Sequence, residues 1–224
     1  MSAASLPLAI LISGRGNNML AIAQACITGD VRARIVTVIA DRPSAAGIAA
    51  ARGLQLPVSV LSHADYAERS RFEAALAAAI DASGAQLVVL AGFMRILSSG
   101  FTRRYTGRLL NIHPSLLPDY AGLDTHRRVL AAGEIQHGVS VHYVNDQLDG
   151  GPVVRQARIR VHADDTVDSL SARIHRQEHI IYPQVIGWIA DGRLQWRDGA
   201  PWFDGRPLLQ PTVSGEIDAK AGTV

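Results

Sequence analysis

Cysteine is almost absent from this chain. Cys26 is the only one, which excludes an internal disulfide and a thiolate metal cluster. It lies in an apolar helical pattern and reads as a buried, inert thiol. Charge of one sign is also scarce in excess, with 22 basic against 20 acidic residues and a net charge of +2. The isoelectric point near 9.0 rests on that small surplus and is a weak argument for nucleic acid. No apolar run reaches membrane-spanning length. Met1 to Pro7 lack the basic start and apolar core of a signal peptide. A cytoplasmic protein with no membrane and no nucleic-acid partner is expected. What the chain does have is apolar content, 48% of 224 residues. That is ample for a buried core in one large domain or two small ones.

The most informative stretch is Leu109-Leu110-Asn111-Ile112-His113-Pro114-Ser115-Leu116-Leu117-Pro118. An apolar run carries Asn111 and His113, and two prolines bar a regular strand from continuing. Alternate residues of a strand project from one face. An amide donor and an imidazole therefore converge at a strand end, where α/β proteins place their ligands. That pair suits a reaction in which a carbonyl oxygen becomes an oxyanion and a proton moves.

Strand and helix patterns alternate before this point. Leu8–Ser13, Ile35–Ala40, Pro57–Leu61, Gln86–Ala91 and Arg108–Ile112 read as buried strands, and Asn17–Thr28, Ser44–Gly53, Asp65–Ala82 and Leu123–Ala132 as helices. Gly138–Val144 and Val153–Val161 alternate like strands around Asp149-Gly150-Gly151-Pro152, and Thr166–Ala190 reads as a long helix with capping groups at its start. Short strand-like pieces fill Gly192 to Gly205, and the tail beyond Gln210 is polar and expected to be loose. The expected fold is α/β: a doubly wound, mostly parallel sheet with helices on both faces and a mixed C-terminal extension. One domain is expected over 1–224, with lobes of about 1–105 and 106–210 around a cleft and a loose tail over 211–224.

Ser13-Gly14-Arg15-Gly16-Asn17-Asn18 joins the first strand to the first helix. Glycines allow a tight turn, and the free N–H groups of a helix start attract anions. A dinucleotide fingerprint wants glycine where Met19 stands, although Asp41 could mimic the ribose acid. A Walker A loop is excluded because no Gly-Lys-Ser/Thr follows. A phosphate cradle and a plain turn both remain.

With this loop and the Asn111–His113 stretch read together, the chain resembles the phosphoribosylglycinamide formyltransferases, folate-dependent enzymes of purine synthesis. The likeness runs from about Leu8 to Leu208 through SGRGNN, VVLAGFMRIL, LLNIHPSLLP, HGVSVHYV, LDGGPV and QEHIIYP. It implies a Rossmann-like formyltransferase fold, 10-formyltetrahydrofolate as co-substrate and no metal. It implies that Asn111, His113 and Asp149 are catalytic and that Gly16, Asn17 and Asn18 hold the substrate phosphate. His175, Arg176, Gln177 and Glu178 would face the glycinamide. Arg69, Met94, Arg95, Ile96, Leu97, Asn111, Asn145, Asp146, Gln147, Leu148 and Asp149 would bind the folate. A homodimer is left open. The chain departs from the family at Asn17, where serine is commoner, and at Asp124, where many relatives carry histidine, so Asp124 receives no role.

Each residue also has a plainer reading. His63, His137, His162 and His179 read as structural or surface residues, and His142 as structural or supporting. Asp149-Gly150-Gly151 would ordinarily be a turn, Arg95 a solvated strand end and Glu178 a surface charge. Three other functions compete. A formyltetrahydrofolate hydrolase would use water as acceptor, and its usual N-terminal regulatory domain is not expected before Leu8. A methionyl-tRNA formyltransferase is disfavoured because little chain follows the last motif to form an RNA-binding domain. A nucleotide-binding dehydrogenase would use the glycine loop and Asp41.

Overall fold

The computed structural model describes residues 4–216. Strand β1 (Leu6–Ile12) is apolar along nearly its whole length and buried on both faces, as a central parallel strand must be. Helix α1 (Asn17–Thr28) follows, then β2 (Ala33–Ala40), α2 (Gly47–Gly53), β3 (Val58–Val60), α3 (Arg69–Ala82), β4 (Leu87–Leu90), α4 (Ser99–Arg104) and β5 (Leu109–His113). The second half contributes α5 (Thr125–Ala131), β6 (Gln136–Tyr143), β7 (Val153–Arg160), α6 (Val167–Ala190), β8 (Leu194–Arg197), β9 (Ala200–Phe203), β10 (Arg206–Pro207) and β11 (Thr212–Ser214).

The main sheet has the order β11-β7-β6-β5-β4-β1-β2-β3. The strands from β3 to β5 run parallel, β6 is antiparallel to both its neighbours, and β11 is parallel to β7. The chain leaves β1 toward β2 on one side and returns to β4 on the other. The carboxyl ends of β1 and β4 therefore flank a switch point, the crevice that open α/β sheets use for ligands. One apolar cluster joins α1, α2 and α6 to one face of the sheet, including Met19, Ile22, Ile48, Ile174, Ile181 and Val185. A second joins α3 and α4 to the other face through Phe72, Leu76, Ile80 and Phe101. The mostly parallel sheet with helices on both faces agrees with the sequence reading.

Several boundaries differ. Helix α3 starts at Arg69, because residues His63–Asp65 form a separate 3-10 turn and Glu68 is extended with φ −130°. Helix α4 was not anticipated. It has only six residues, includes a glycine, and is started by Ser98, whose side chain accepts from the Phe101 N–H. The tail needs a correction. Thr212–Ser214 is not loose but pairs with Arg155–Ala157 of β7, and Arg173 of α6 grips Glu216 at 2.8 Å. Residues 217–224 lie outside the described residues.

Candidate active site

Strand β5 stops at His113 because Pro114 has no N–H with which to extend the ladder. Antiparallel pairing sets His142 of β6 opposite Asn111 and Ser140 opposite His113. The turn after β6 then brings Asp149 back to the same point. Asp149 has φ +51°, a left-handed conformation that Asp and Asn tolerate better than most residues. Gly151 is required beyond it, since a Cβ there would stand 1.8 Å from the Tyr143 carbonyl oxygen.

Asp149 sits between two imidazoles. Its Oδ2 accepts the Gly122 N–H at 2.9 Å and lies 3.4 Å from His113 Nδ1, while Oδ1 lies 3.8 Å from His142 Nε2. His113 Nε2 donates to the Tyr120 carbonyl at 3.0 Å. The nitrogen left to act in His113 is thus Nδ1, on the Asp149 side. His142 Nδ1 donates to the Tyr143 carbonyl at 2.9 Å, which leaves Nε2 to accept from Asn111 Nδ2 at 3.1 Å. Burial pushes the His142 ring toward its neutral form, outweighing the Tyr143 carbonyl and the Asp149 charge. A neutral His142 thereby fixes which way the Asn111 amide points and leaves its second hydrogen free. Below this layer Ser140 and Gln156 secure the loop after His113. Ser140 Oγ accepts from the Leu117 N–H at 3.0 Å and donates to the Ser115 carbonyl at 2.7 Å, and Gln156 Nε2 donates to Leu117 at 2.8 Å.

The glycine loop ends at Gly16, which has φ +77° and precedes the first turn of α1 without any side-chain cap. The leading N–H groups of α1 are therefore available to an anion. Asn18 reaches across to α6 and donates to Glu178 Oε2 at 2.8 Å. Glu178 is 5% exposed, and burial raises its carboxyl above the usual range, outweighing the bond from Asn18 and the nearby His175 and His113. Gln177 is buried beside it, His175 is half-buried, and Arg176 is exposed.

A cavity of about 110 Å³ opens beside Asn111, His142 and Asp149, walled by Arg95, Ile96, Leu97 and the 145–149 loop. Asn145 shapes that loop by accepting from the Gln147 N–H at 3.0 Å and donating to the Gly150 carbonyl at 3.3 Å. A second cavity of about 380 Å³ adjoins along Arg95, Ile96 and Leu97 and extends to Met94 and Arg69. Met94 and Ile96 are 66% and 67% exposed, large apolar groups left facing the opening.

The family model described as formyl transferase matches residues 6–186. The chain belongs to the formyl transferase family. A phosphoribosylglycinamide formyltransferase of Escherichia coli strain K12 is 47% identical over 199 residues, covering 89% of this chain and 94% of the relative. A solved phosphoribosylglycinamide formyltransferase from Coxiella burnetii superposes with a TM-score of 0.89 at 46% identity, covering 93% of this chain and 99% of that one. A formyltetrahydrofolate deformylase from Burkholderia mallei superposes with a TM-score of 0.81 at 25% identity, covering 90% of this chain and 70% of that one.

In this formyl transferase the structure brings Asn111, His113 and Asp149 together, and gathers the folate-lining candidates of 94–97 and 145–149 around one opening. Arg69 stands at the far rim, paired with Glu73 at 2.8 Å. Glu178 is no surface charge, and Arg176 points away from its buried neighbours. Asp41 does not present a free carboxylate to a ribose: its side chain is fully buried and bound by Arg95 at 2.7 Å and Arg42 at 3.3 Å. Arg95 is correspondingly no solvated strand end. Sequence reasoning missed Ser140 and Gln156, and it read His142 as structural or supporting without its partner Asn111. The alternation of Gly138–Val144 was legible, but the register that sets His142 across from Asn111 was not. It also missed the pair of His126 and His137, whose Nδ1 and Nε2 lie 2.9 Å apart.

Proposed function

We propose that this chain transfers the formyl group of 10-formyltetrahydrofolate to the amine of N1-(5-phosphoribosyl)glycinamide, in purine biosynthesis, giving the N-formyl product and tetrahydrofolate. The observation that carries this reading is the meeting of Asn111, His113 and Asp149 between the uncapped start of α1 and the cavity walled by 95–97 and 145–149. In this reading Gly16, Asn17 and Asn18 hold the substrate phosphate, and Glu178 with His175 and Gln177 orients the glycinamide. Met94 to Leu97 and Asn145 to Asp149 hold the pterin, with Arg69 beside the rest of the folate. The lobes 1–105 and 106–210 are the two sides of this cleft, and the cytoplasm is the proposed compartment.

The neutral amine attacks the formyl carbon, and the carbonyl oxygen becomes an oxyanion. Asn111 supplies its free amide hydrogen to that oxygen, and His113 supplies positive charge beside it. Asp149 faces His113 Nδ1 and orders a water that carries the proton lost by the attacking nitrogen. The bond to the folate nitrogen breaks, and that nitrogen takes the proton. The chemistry needs neither a metal nor an acyl-enzyme.

The likeness to the deformylase supports a second reading, a hydrolase sharing the same trio with water as acceptor. One assay separates them: formate and formylated product are measured from 10-formyltetrahydrofolate with and without the ribosyl glycinamide. Formylated product that requires the acceptor is expected. Equal formate release in both tubes establishes the hydrolase instead.

A further inference from the structure

The segment from Gly92 to Ser98 has no regular secondary structure, yet it supplies Arg95, Ile96 and Leu97 to both cavities and Met94 to the larger one. An irregular loop that must present a fixed surface needs anchors. Here they are polar groups from three other elements. Ser13, just past β1, donates its N–H to the Gly92 carbonyl at 3.1 Å and accepts the Met94 N–H on its hydroxyl at 2.8 Å. That hydroxyl in turn donates to Asp41, just past β2. Asp41 also takes Arg95 Nε at 2.7 Å, and Arg95 donates from its NH2 nitrogen to His63 Nδ1 at 2.8 Å. At the other end Glu73 of α3 accepts the Ser98 N–H at 2.8 Å, the Ser98 hydroxyl, and Arg69 Nε at 2.8 Å. Both carboxylates are buried, with side-chain exposures of 0% and 8%.

Buried charge is costly unless it is paired and hydrogen-bonded. Two such groups placed at the two ends of one loop have a positional consequence: moving Arg95 or Ser98 would strand a carboxylate. Burial alone would raise the Asp41 carboxyl, but the bonds from Arg95, Ser13 and Arg42 outweigh it and hold the group below its ordinary range.

We propose that Asp41 and Glu73 are positioning residues for the folate substrate, fixing the 92–98 loop through Arg95, Ser13 and Ser98 without touching the ligand. The proposal rests on the reading of the 94–97 cavity as the folate pocket. Because Ser13 also opens the glycine loop, the same anchor ties the folate wall to the strand end that leads to α1.

The test uses the full chain with Asp41→Asn, Glu73→Ala and the conservative Glu73→Gln. The KM for 10-formyltetrahydrofolate should rise about tenfold in Asp41→Asn and Glu73→Ala, the scale of one lost charge-assisted bond, and less in Glu73→Gln. The KM for the ribosyl substrate and kcat should stay within about twofold. Amide hydrogen exchange should quicken at Met94 in Asp41→Asn and at Ser98 in Glu73→Ala. Adding Asp41→Asn to Arg95→Met should bring little further loss, since Asp41 acts through that side chain. Equal rises in both KM values would make the carboxylates general supports, and quicker exchange with an unchanged folate KM would show that loop shape does not matter; either overturns the proposal. Calorimetric binding of tetrahydrofolate together with the exchange rates judges the anchors even if the wild-type chain transfers no formyl group, which would overturn only the transfer reading.

Discussion

Asp149 carries two duties that a substitution can separate. Its backbone stands at φ +51°, which favours Asn as much as Asp, and its Oδ2 accepts the Gly122 N–H. Asp149→Asn keeps the turn, the size and one acceptor, and removes only the charge facing His113. Turnover should fall by ~10²-fold or more, the usual worth of a proton-transfer group, while substrate binding and the melting temperature stay near wild type. A variant with near-normal turnover would reduce Asp149 to a turn residue. Glu178 has the opposite character, being a carboxyl whose folded-state pKa is raised by burial. The sign follows directly. The folded chain binds this proton more tightly than the unfolded chain, so the stabilisation is full below the unfolded pKa and is lost as pH rises through the folded one. Glu178→Gln keeps an acceptor for Asn18 and has no proton to lose. Thermal melts of the two proteins should therefore run close together in acid and separate toward neutral pH, with the variant the more stable and the poorer catalyst. A variant less stable at neutral pH would mean that the ionised carboxylate is well paired.

Helix α2 governs the glycine loop although it contributes none of the residues proposed to touch phosphate. The Gly47 N–H donates to the Gly14 carbonyl at 2.9 Å. A Cβ on Gly47 would lie 2.8 Å from Ile12 Cδ1, 3.1 Å from the Gly14 oxygen and 3.2 Å from Gly16 Cα. Ile12 can turn aside, but the two backbone atoms cannot without moving the loop. Gly47→Ala should raise the KM for the phosphorylated substrate by about tenfold and leave the folate KM within about twofold. Parallel rises in both would indicate loss of the whole cleft. The same element-level view explains what the sequence made legible. Apolar strands ending in glycine or proline, such as Leu8–Ser13 and Arg108–Ile112, carry their own boundaries, so the sheet and the Asn111–His113 pair could be read from local pattern. Thr212–Ser214 could not, because a three-residue strand has no periodicity and its partner β7 lies far upstream. Helix α4 depends on one capping serine. Neither Glu178 nor Asp41 declares its burial in the sequence, since their surroundings come from α1, from the 92–98 loop and from strand order.

Across the whole molecule, buried and half-buried histidines set a common response to acid. His137 is 2% exposed, and its pKa is lowered to about 4, first by burial and then by His126 and His113. His126, His142 and His179 are lowered as well, each chiefly by burial. A histidine with a depressed folded-state pKa stabilises the fold above its unfolded value near 6.5 and loses that contribution as pH falls toward the folded value. For His137 the window runs from about 6.5 down to about 4, which amounts to a loss on the order of 3 kcal/mol across it at roughly 1.4 kcal/mol per pH unit. Glu178 works against the trend by taking up a proton in the folded chain, but it is one group against four. The melting temperature should therefore drop steadily from pH 6.5 to pH 4. The groups responsible lie in β6, α5 and α6, which meet around the proposed catalytic residues, so acid should loosen the site and the fold together. His137→Gln tests this, because Gln can still accept from His126 but gains no charge in acid. Its melting temperature at pH 7 should lie at or below that of wild type, and its decline between pH 6.5 and 4 should be shallower. An equally steep decline in the variant would move the acid sensitivity away from the His126–His137 pair and onto His142 and His179, whose pKa values burial also lowers from the ordinary histidine value.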